Sequence, residues 1–385
     1  MNFVDLFAGA GGLSCGLEMS GFRPVLANEM VDVFAETYKL NHPGCNVITG
    51  DIRKIDETRI NELVKAEGDV GLVAGGPPCQ GFSINAPSRS MEDDRNHLFK
   101  EFLRIVSKVN PKAVLIENVP GIISMASGEI VSQIYAMLES MGYAVAHKIL
   151  FAGHYGVPQM RFRTVFIGVK NRSGEIVFPE PEYNSSSCAN FTGSRDLCLD
   201  IDNPDSLKKE TNIWDAIGDL PPIVGGGGNG TFEYPACDMT EYRSYSRSGS
   251  DMITSHYCNR LSEINIKRLG HIPPGGSWRD IPFDLLPEGL KRARRSDHTR
   301  RYGRLHPDRL GTTIMTKCDP HWGTFFHPCQ NRAISVREAA RIQSFPDRYQ
   351  FTGNKTQQYE QVGNAVPPLM AQAVGKSILE MLKDG

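Results

Sequence analysis

The chain has 385 residues, of which 40% are hydrophobic and 22% are charged, and its formal net charge is −2. This composition is typical of a globular protein with room for a catalytic domain and a second, smaller one. No apolar run reaches bilayer-spanning length and residues 1–5 do not resemble a secretory signal, so we expect a cytoplasmic protein without a membrane partner. The nine cysteines lack the paired short spacings of zinc ligands. We therefore expect free thiols and no bound metal.

Five short apolar runs in the first 170 residues predict β-strands, at residues 3–7, 24–27, 46–49, 70–74 and 113–116. Helix-length segments separate these runs, so we predict an α/β fold with a doubly wound, mostly parallel sheet. Each run ends next to a glycine, a proline or a carboxylate. Polar groups therefore collect at the carboxyl ends of the strands, where open parallel sheets bind their ligands.

Beyond residue 171 the composition shifts towards loops. They are predicted at residues 184–187, 225–228 and 273–276. Helical periodicity returns at 336–342, where Ser335 is suited to cap the helix and Glu338 follows three residues later. A final apolar helix is predicted at 369–382. The middle of the chain is therefore predicted to form a separate, smaller, loop-rich domain.

The turn at residues 9–12, Gly-Ala-Gly-Gly, follows the first predicted strand and would let backbone approach a ligand at a helix N-terminus. Glu29 ends the second strand, where it could bind a ribose diol, and Asp51 ends the third, where it could bind an adenine amino group. Each carboxylate could instead cap a helix or face solvent. Ser14 stands where a dinucleotide fingerprint has glycine, and no phosphate-binding loop is present. A nucleoside ligand without phosphates, S-adenosylmethionine, fits best.

Cys79 follows two prolines in the segment Gly-Pro-Pro-Cys-Gln-Gly at residues 76–81. The prolines fix the backbone before the sulfur, and the flanking glycines allow a substrate to approach closely. Most cysteines are buried packing residues, but packing does not require this turn chemistry. The segment therefore predicts a nucleophilic thiol at the carboxyl end of a strand.

This segment resembles the catalytic loop of the C5-cytosine-specific DNA methyltransferase family. Further blocks resemble that family in the same order, at residues 5–9, 117–119, 159–163, 337–347 and 361–368. The resemblance implies a Rossmann-like, S-adenosylmethionine-dependent methyltransferase fold. It also implies a catalytic and cofactor-binding domain over residues 1–175, a target-recognition domain over 176–350, and a segment at 351–385 that returns to the first domain.

By this resemblance, the catalytic residues are Cys79, Glu117, Arg161 and Arg163. Carbon 5 of cytosine is a poor nucleophile until a thiolate adds at C6, which is the role expected of Cys79. Glu117, as a neutral acid whose pKa is raised, would donate to N3 of the ring. Arg163 would bind the cytosine O2, and Arg161 would brace a loop or the carboxylate. The two arginines could instead contact phosphate or lie at the surface.

The same resemblance places a set of residues around the cofactor. These are Phe7, Ala10, Gly12, Glu29, Met30, Asp51, Ile52, Pro78, Leu98, Asn364 and Val366. Many relatives have tryptophan where this chain has Met30, beside the adenine. A thioether can pack on a purine face, but we expect a weaker or differently shaped contact.

A cytosine inside a duplex must be flipped out to reach such a pocket, so we expect residues 81–97 to form a closing segment that includes Ser83 and Arg89. A basic stretch in the variable region could be a solvated helical face, but in this family it favours contact with DNA. The expected contacts are Arg292, Arg294, Arg295, Arg300, Arg301 and Arg304. Residues 277–279 and 316–322 are further candidates.

We therefore expect double-stranded DNA as the partner, a protein that acts as a monomer at the prokaryotic nucleoid, and a companion restriction endonuclease as a further partner. Three alternatives stay open at this point: the same chemistry on transfer RNA, a binding protein that keeps the fold without activity, and a nicotinamide oxidoreductase. The last leaves no role for Cys79.

Overall fold

A computed structural model describes residues 1–78, 96–185, 206–227 and 230–383. The strands are β1 (Asn2–Leu6), β2 (Arg23–Glu29), β3 (Asn46–Thr49), β4 (Val70–Gly75), β5 (Ala113–Asn118), β6 (Tyr143–Phe151), β7 (Gln159–Met160), β8 (Phe162–Lys170), β9 (Tyr183–Asn184), β10 (Lys208–Lys209), β11 (Gly303–Arg304), β12 (Gly311–Thr312) and β13 (Thr324–Phe326).

The α-helices of these residues are α1 (Gly12–Ser20), α2 (Asp32–Asn41), α3 (Glu57–Glu67), α4 (Asn96–Val109), α5 (Glu129–Ser140), α6 (Ile213–Ile217), α7 (Glu241–Arg247), α8 (Glu263–Leu269), α9 (Glu288–Lys291), α10 (Val336–Ile342), α11 (Lys355–Asn364) and α12 (Pro368–Lys383). Short 3₁₀ helices lie at Ile52–Lys54, Pro120–Gly128, Ala152–Tyr155, Trp278–Asp280 and Phe283–Leu285. Within the described ranges, no helix is both long and apolar enough to cross a membrane.

The main sheet has seven strands in the order β3-β2-β1-β4-β5-β8-β6. The first five strands of the chain are parallel, and β8 runs antiparallel between β5 and β6. The strand order reverses direction at β1, since β2 and β3 lie on one side of it and β4 on the other. The crevice beside β1 is therefore the switch point at which such sheets bind ligands. The predicted α/β fold is confirmed.

The parallel strands are hydrophobic because both faces of the sheet are covered. Every residue of β4 is buried, and β1 is buried from Phe3 onward. The five predicted strands all form, with bounds that differ from the prediction by at most two residues. The antiparallel strand β8 was not predicted.

The last helix, α12, packs directly on α1. A side chain at Gly16 would collide with the backbone of Pro368, and one at Gly375 would collide with the Ser20 side chain. Leu17, Val374 and Ile378 belong to one buried cluster between these helices and the sheet. The C-terminal helix therefore packs back onto the first helix and the main sheet.

Residues 206–227 and 230–334, called here the recognition region after the role that the sequence predicts for them, contain short helices and two-residue or three-residue strands joined by loops. The region is joined to the first part of the chain through β12, which pairs with β7 in a separate two-stranded sheet. Helix α10 begins at the predicted position, where Ser335 and Glu338 form a reciprocal capping box. After helix α10, the Tyr349 hydroxyl donates a buried hydrogen bond to the Ala10 carbonyl in the turn that follows β1.

Candidate active site

The turn after β1 is held in a backbone conformation that leaves space above it. Gly9 and Gly11 have φ of +56° and +89°, and Phe7 between β1 and the turn has φ of +58°. A side chain at Gly9 would meet no atom within 4 Å, whereas one at Gly11 would collide with Tyr349 and His42. Gly11 is thus required because its neighbours leave no room for a side chain, whereas Gly9 faces open space. That open space is suited to a ligand.

Glu29 is fixed at the end of β2 by two backbone hydrogen bonds. The amide of Gly9 donates to Oε2 and the amide of Val31 donates to Oε1, both at 2.8 Å. Burial raises the pKa of the Glu29 carboxyl. Each oxygen has a second lone pair with which it could accept a hydrogen bond from a diol. Met30 follows directly, and 69% of its surface is exposed.

Asp51 has the capping role that the sequence left as its second interpretation. Its carboxylate accepts from the amide of Arg53 at 3.0 Å and pairs with the guanidinium of the same residue at 2.6 Å. These bonds lower the pKa of Asp51. Ile52 is buried beside it. An adenine contact at Asp51 would therefore share the carboxylate with Arg53.

The remaining cofactor residues come from several parts of the chain. Gly12 lies against the backbone of Val366, with no room for a side chain between them. Ala10 is buried, Asn364 is exposed at the end of α11, and Leu98 packs against the core from α4. Val366 is thereby brought next to the first glycine turn, although 354 positions separate it from Gly12 in the sequence.

A buried carboxyl lies beneath this turn, and sequence reasoning gave it no role. Asp5 is 1% exposed, and the Ser14 hydroxyl donates to its Oδ2 at 2.6 Å. Ser14 also shares a 2.7 Å hydrogen bond with the Tyr38 hydroxyl. Burial raises the pKa of Asp5 to about 7. The sequence analysis considered Ser14 only because it replaces a glycine of the dinucleotide fingerprint. In the structure its hydroxyl supports the strand that carries the turn.

Glu117 and Arg163 form an ion pair at the carboxyl end of the sheet. Arg163 Nε lies 2.6 Å from Glu117 Oε1, and the two side chains are 14% and 13% exposed. The antiparallel pairing of β5 with β8 brings the two residues together, since Glu117 is opposite Val165 in the register. A charge-assisted pair of this kind fixes the direction of both groups.

The turn that leads to Cys79 begins beside the same pair. A side chain at Gly76 would come within 3.2 Å of Glu117 Oε2. The side-chain amide of Asn118 donates to the Pro77 carbonyl at 2.9 Å, and this hydrogen bond ties the turn to β5. Cys79 follows Pro78 in the sequence and lies outside the described residues, as do Ser83 and Arg89.

Arg161 contacts backbone carbonyls of distant segments and no carboxylate, so of the two roles that the resemblance implies, bracing a loop fits these contacts. Arg161 is 1% exposed and donates to Ile314 O at 3.2 Å and to the carbonyls of Gly363 and Ala365 at 3.0 Å. Burial lowers the pKa of its guanidinium. Arg161 therefore holds the recognition region and the turn around Asn364 together.

Gln159 makes a parallel set of contacts that the sequence motif did not reveal. Its Oε1 accepts from the amide of Ile314 at 2.9 Å, and its Nε2 donates to Ile342 O at 3.2 Å and to Gln343. Gln343 in turn donates to the Ala365 carbonyl. The Gln-x-Arg-x-Arg block thus has two members that join distant segments, and one, Arg163, that faces Glu117.

The basic residues of the recognition region divide by exposure. The exposed arginines are Arg292, Arg294, Arg295 and Arg300, whereas Arg301 is half-buried. Arg304 corrects the sequence expectation, since it is 6% exposed and donates to Leu269 O at 2.9 Å and to Asn331 Oδ1 at 2.8 Å. A guanidinium enclosed in this way stabilises the region's own backbone and does not reach DNA.

The switch-point crevice, the open glycine turn and the anchored Glu29 together define the fold of an S-adenosylmethionine-dependent methyltransferase. The structure is similar over its whole length to a putative DNA modification methyltransferase from an Escherichia coli prophage, with a TM-score of 0.73 and 25% identity over 99% of that chain. A fission yeast (S. pombe) Dnmt2 structure has the same fold, with a TM-score of 0.59, 16% identity and 99% coverage of both chains.

The family model described as C-5 cytosine-specific DNA methylase matches residues 1–380. The chain is 34% identical to the Type II methyltransferase M.AgeI of Thalassovita gelatinovora, over 98% of this chain and 99% of that protein. It is 35% identical to the Type II methyltransferase M1.HphI of Haemophilus parahaemolyticus, over 99% of this chain and 87% of that protein. The chain belongs to the C-5 cytosine-specific DNA methylase family.

Proposed function

We propose that the protein methylates C5 of a flipped-out cytosine within a specific duplex sequence, through a transient bond between Cys79 and C6 of the ring. The observation that carries this proposal is the Glu117–Arg163 pair, 2.6 Å apart, beside the turn that leads to Cys79. A carboxyl and a guanidinium thus lie beside Gly76, three residues before the expected nucleophile in the sequence.

The residues around the β1 turn fit S-adenosylmethionine, which when bound supplies an electrophilic methyl group. The open space above Gly9 admits a ligand, and Glu29 offers anchored acceptor oxygens. Met30 follows Glu29 in the sequence, and the backbone of Val366 lies against Gly12. Phe7, Ala10, Gly12, Asp51, Ile52, Pro78, Leu98 and Asn364 complete the proposed pocket.

The chemistry follows from the electron demand of the pyrimidine. The Cys79 thiolate adds to C6, and the C5–C6 π electrons become available at C5 as Glu117 protonates N3. C5 then takes the methyl group. Loss of the C5 proton to a base, for which water suffices, restores the double bond and expels the thiolate. N3 returns its proton to Glu117 and the bond to sulfur is broken again, so both side chains of the enzyme are regenerated.

Arg163 contributes in two ways. It fixes Glu117 Oε1, which leaves Oε2 on the side of Gly76, and its remaining N–H groups can bind the cytosine O2. Arg161 is a positioning residue, because its contacts hold Ile314, Gly363 and Ala365 rather than the reacting atoms.

Duplex DNA is the proposed partner, and the exposed arginines between Arg292 and Arg300 are proposed to contact its phosphates. Ser83 and Arg89 are proposed contacts in the segment outside the described residues. Relatives at about one-third identity are named Type II methyltransferases, so we also propose a companion restriction endonuclease and action as a monomer.

The test is transfer of radiolabelled methyl from S-adenosylmethionine to plasmid DNA and, separately, to total transfer RNA. We expect label in plasmid DNA, with bisulfite sequencing showing 5-methylcytosine at one short sequence. Label confined to transfer RNA would contradict the proposed substrate. Binding of either nucleic acid without any transfer would contradict the proposed activity.

A further inference from the structure

Trp322 is the most exposed tryptophan of the described residues, with 60% of its surface accessible, and it lies in the recognition region. The Cζ atom of Arg301 lies 4.8 Å from the centre of its ring. We propose that Arg301, held against Trp322, reads a guanine through the major groove of the target sequence. This inference rests on the proposed function, because it presupposes duplex DNA as the substrate.

The backbone on the Arg301 side is fixed before any DNA binds. The amide of Arg301 donates to His298 O at 3.0 Å, and its carbonyl accepts from the amide of Trp278 at 3.1 Å. The next residue, Tyr302, donates to Pro320 O at 2.7 Å and has a ring that is 2% exposed. Arg301 therefore projects from a firmly anchored turn.

The Trp322 side is anchored to the same structure. The amide of Trp322 donates to Asp319 O at 3.0 Å. The amide of Gly303 donates to the carbonyl of Gly323 at 3.2 Å, and β11 pairs with β13 directly afterwards. The two turns are thus held side by side, and the stack between the side chains joins elements whose backbones are already paired.

Packing does not explain the contact between Arg301 and Trp322, because an indole that stays exposed gains little folding free energy from it. A cation–π contact at an exposed site contributes only about 0.5–1 kcal/mol, so folding alone gains little from holding Arg301 over this ring. Arg292, Arg294 and Arg300 precede Arg301 by at most nine positions and are exposed, and Asp297 is the single carboxylate between residues 292 and 300. The surroundings therefore favour an anionic partner.

Arg301 suits base recognition better than its neighbours do. The Trp322 ring, 4.8 Å from the Arg301 Cζ atom, reduces the freedom of the guanidinium, whose N–H groups can still donate. Guanine presents two acceptors, O6 and N7, which match two N–H groups of one arginine. The freely exposed arginines lack such support, so they are better suited to phosphates, whose contact requires less precise geometry.

The position of the pair in the chain connects it to the catalytic strand. From Arg301 the chain passes through β11 to β12, which pairs with β7, and Ile314 is then held by Gln159 and Arg161. Arg163, the partner of Glu117, follows two residues after Arg161. A base contact at Arg301 would therefore be made by a segment with short, bonded connections to the catalytic pair.

The experiment measures methylation rates on a duplex library in which each position around the methylated cytosine is randomised, read by bisulfite sequencing. For Arg301→Ala we expect the preference for guanine at one position to fall by about 5- to 150-fold, with the other positions unchanged. Arg301→Lys keeps the charge but loses the paired donors, so we expect nearly the same loss. We expect Trp322→Ala to weaken the preference at that same position and Trp322→Phe to weaken it less.

Two control variants separate the possible outcomes. Arg292→Ala should slow methylation of all sequences alike and reduce the salt dependence of binding by about one phosphate contact. Arg59→Ala, on the exposed face of α3 beside Glu62, should change neither the rate nor the preference. Thermal melting shows whether each variant is folded. If Arg301→Ala is not folded, Arg301→Lys takes its place in the comparison.

The inference is overturned if folded Arg301→Ala and Arg301→Lys keep the wild-type sequence preference, even if their rates fall uniformly. A uniform fall with reduced salt dependence would assign Arg301 to a phosphate. If the wild-type protein methylates no sequence in the library, the proposed function fails instead, and that result is distinguishable because it precedes any comparison of variants.

Discussion

At the carboxyl ends of β1, β2 and β5, the sheet itself positions the functional side chains, whereas the recognition region positions its side chains through contacts between distant segments. Glu29 is the last residue of β2, and Glu117 is the last but one of β5. Arg301, in contrast, depends on turns that are tied to residues 278 and 320. The first kind of site is therefore set by strand pairing, and the second by hydrogen bonds between turns.

The largest expected effect lies at the pair in the sheet. Glu117→Gln keeps the size of the side chain but removes its ability to protonate the ring, so we expect kcat to fall by about 10²–10⁴-fold with little change in thermal stability. The measurement is steady-state methyl transfer to plasmid DNA. Glu139→Gln, exposed on α5, is the matched control and should behave as wild type. A kcat for Glu117→Gln within a few-fold of wild type would remove Glu117 from the chemistry.

The buried Asp5 predicts a dependence of stability on pH. Burial raises its pKa from 3.8 to about 7. For a carboxyl shifted in this direction, the stabilising effect of protonation is fully present below about pH 4 and is lost as the pH rises through 7. Asp5→Asn should therefore flatten this part of the curve, and raise the free energy of unfolding at pH 8 by up to about 4 kcal/mol.

Urea unfolding at intervals between pH 5 and 8 measures this difference. Asp251→Asn, at an exposed position, should leave the curve unchanged. Equal slopes for wild type and Asp5→Asn over this range would show that Asp5 keeps an ordinary pKa in the folded protein.

Arg161 links the two regions, so its replacement tests their coupling. Arg161→Met leaves the carbonyls of Ile314, Gly363 and Ala365 without their donor, and we expect a loss of about 3 kcal/mol in stability. Since the turn at Asn364 loosens while the Glu117–Arg163 pair is untouched, KM for S-adenosylmethionine should rise more than kcat falls.

Arg161→Lys provides the conservative comparison. It keeps a buried cation and can reach some of the same carbonyls, so its stability and KM should lie between those of wild type and Arg161→Met. A fall in kcat with unchanged KM and stability would place Arg161 in the chemistry rather than in positioning.

The smallest expected effect concerns Met30, which is 69% exposed at the proposed adenine position. Met30→Trp offers a larger aromatic face, so we expect KM for S-adenosylmethionine to fall by about five-fold, corresponding to about 1 kcal/mol of stacking. Leu40→Trp places the same ring at another exposed site on α2 and should have no effect. An unchanged KM for Met30→Trp would show that the side chain does not contact the adenine.

The two regions also differ in how far the sequence predicted them. The strands and the capped helix α10 were predicted because hydrophobic runs, glycine turns and capping residues are local signals, and parallel order then brings their ends together. The sequence predicted that Arg161 would brace a loop, but the partners of Gln159, Arg161 and Arg304 could not be predicted, since most are backbone groups of segments far apart in sequence. Nothing in the identity of an arginine distinguishes a buried brace from an exposed DNA contact.

The pairing of Arg301 with Trp322 escaped prediction for a related reason. The sequence placed both residues in candidate DNA-binding segments, but 21 positions separate them, and the contact depends on two turns with positive φ at His298 and Tyr302. Positive φ at residues other than glycine has no strong local signal. The strand patterns of the sequence therefore do not reveal the loop geometry that brings Arg301 and Trp322 together.

The central claim, that the sulfur of Cys79 bonds to the pyrimidine, is tested most directly with duplex DNA containing 5-fluorocytosine at the methylated position. The fluorine cannot leave as the C5 proton does, so wild-type protein with S-adenosylmethionine should form a complex that survives denaturation. Cys79→Ser should form none and should not methylate ordinary duplex DNA at a measurable rate. A Cys79→Ser variant that produces 5-methylcytosine at the wild-type rate would exclude the covalent mechanism.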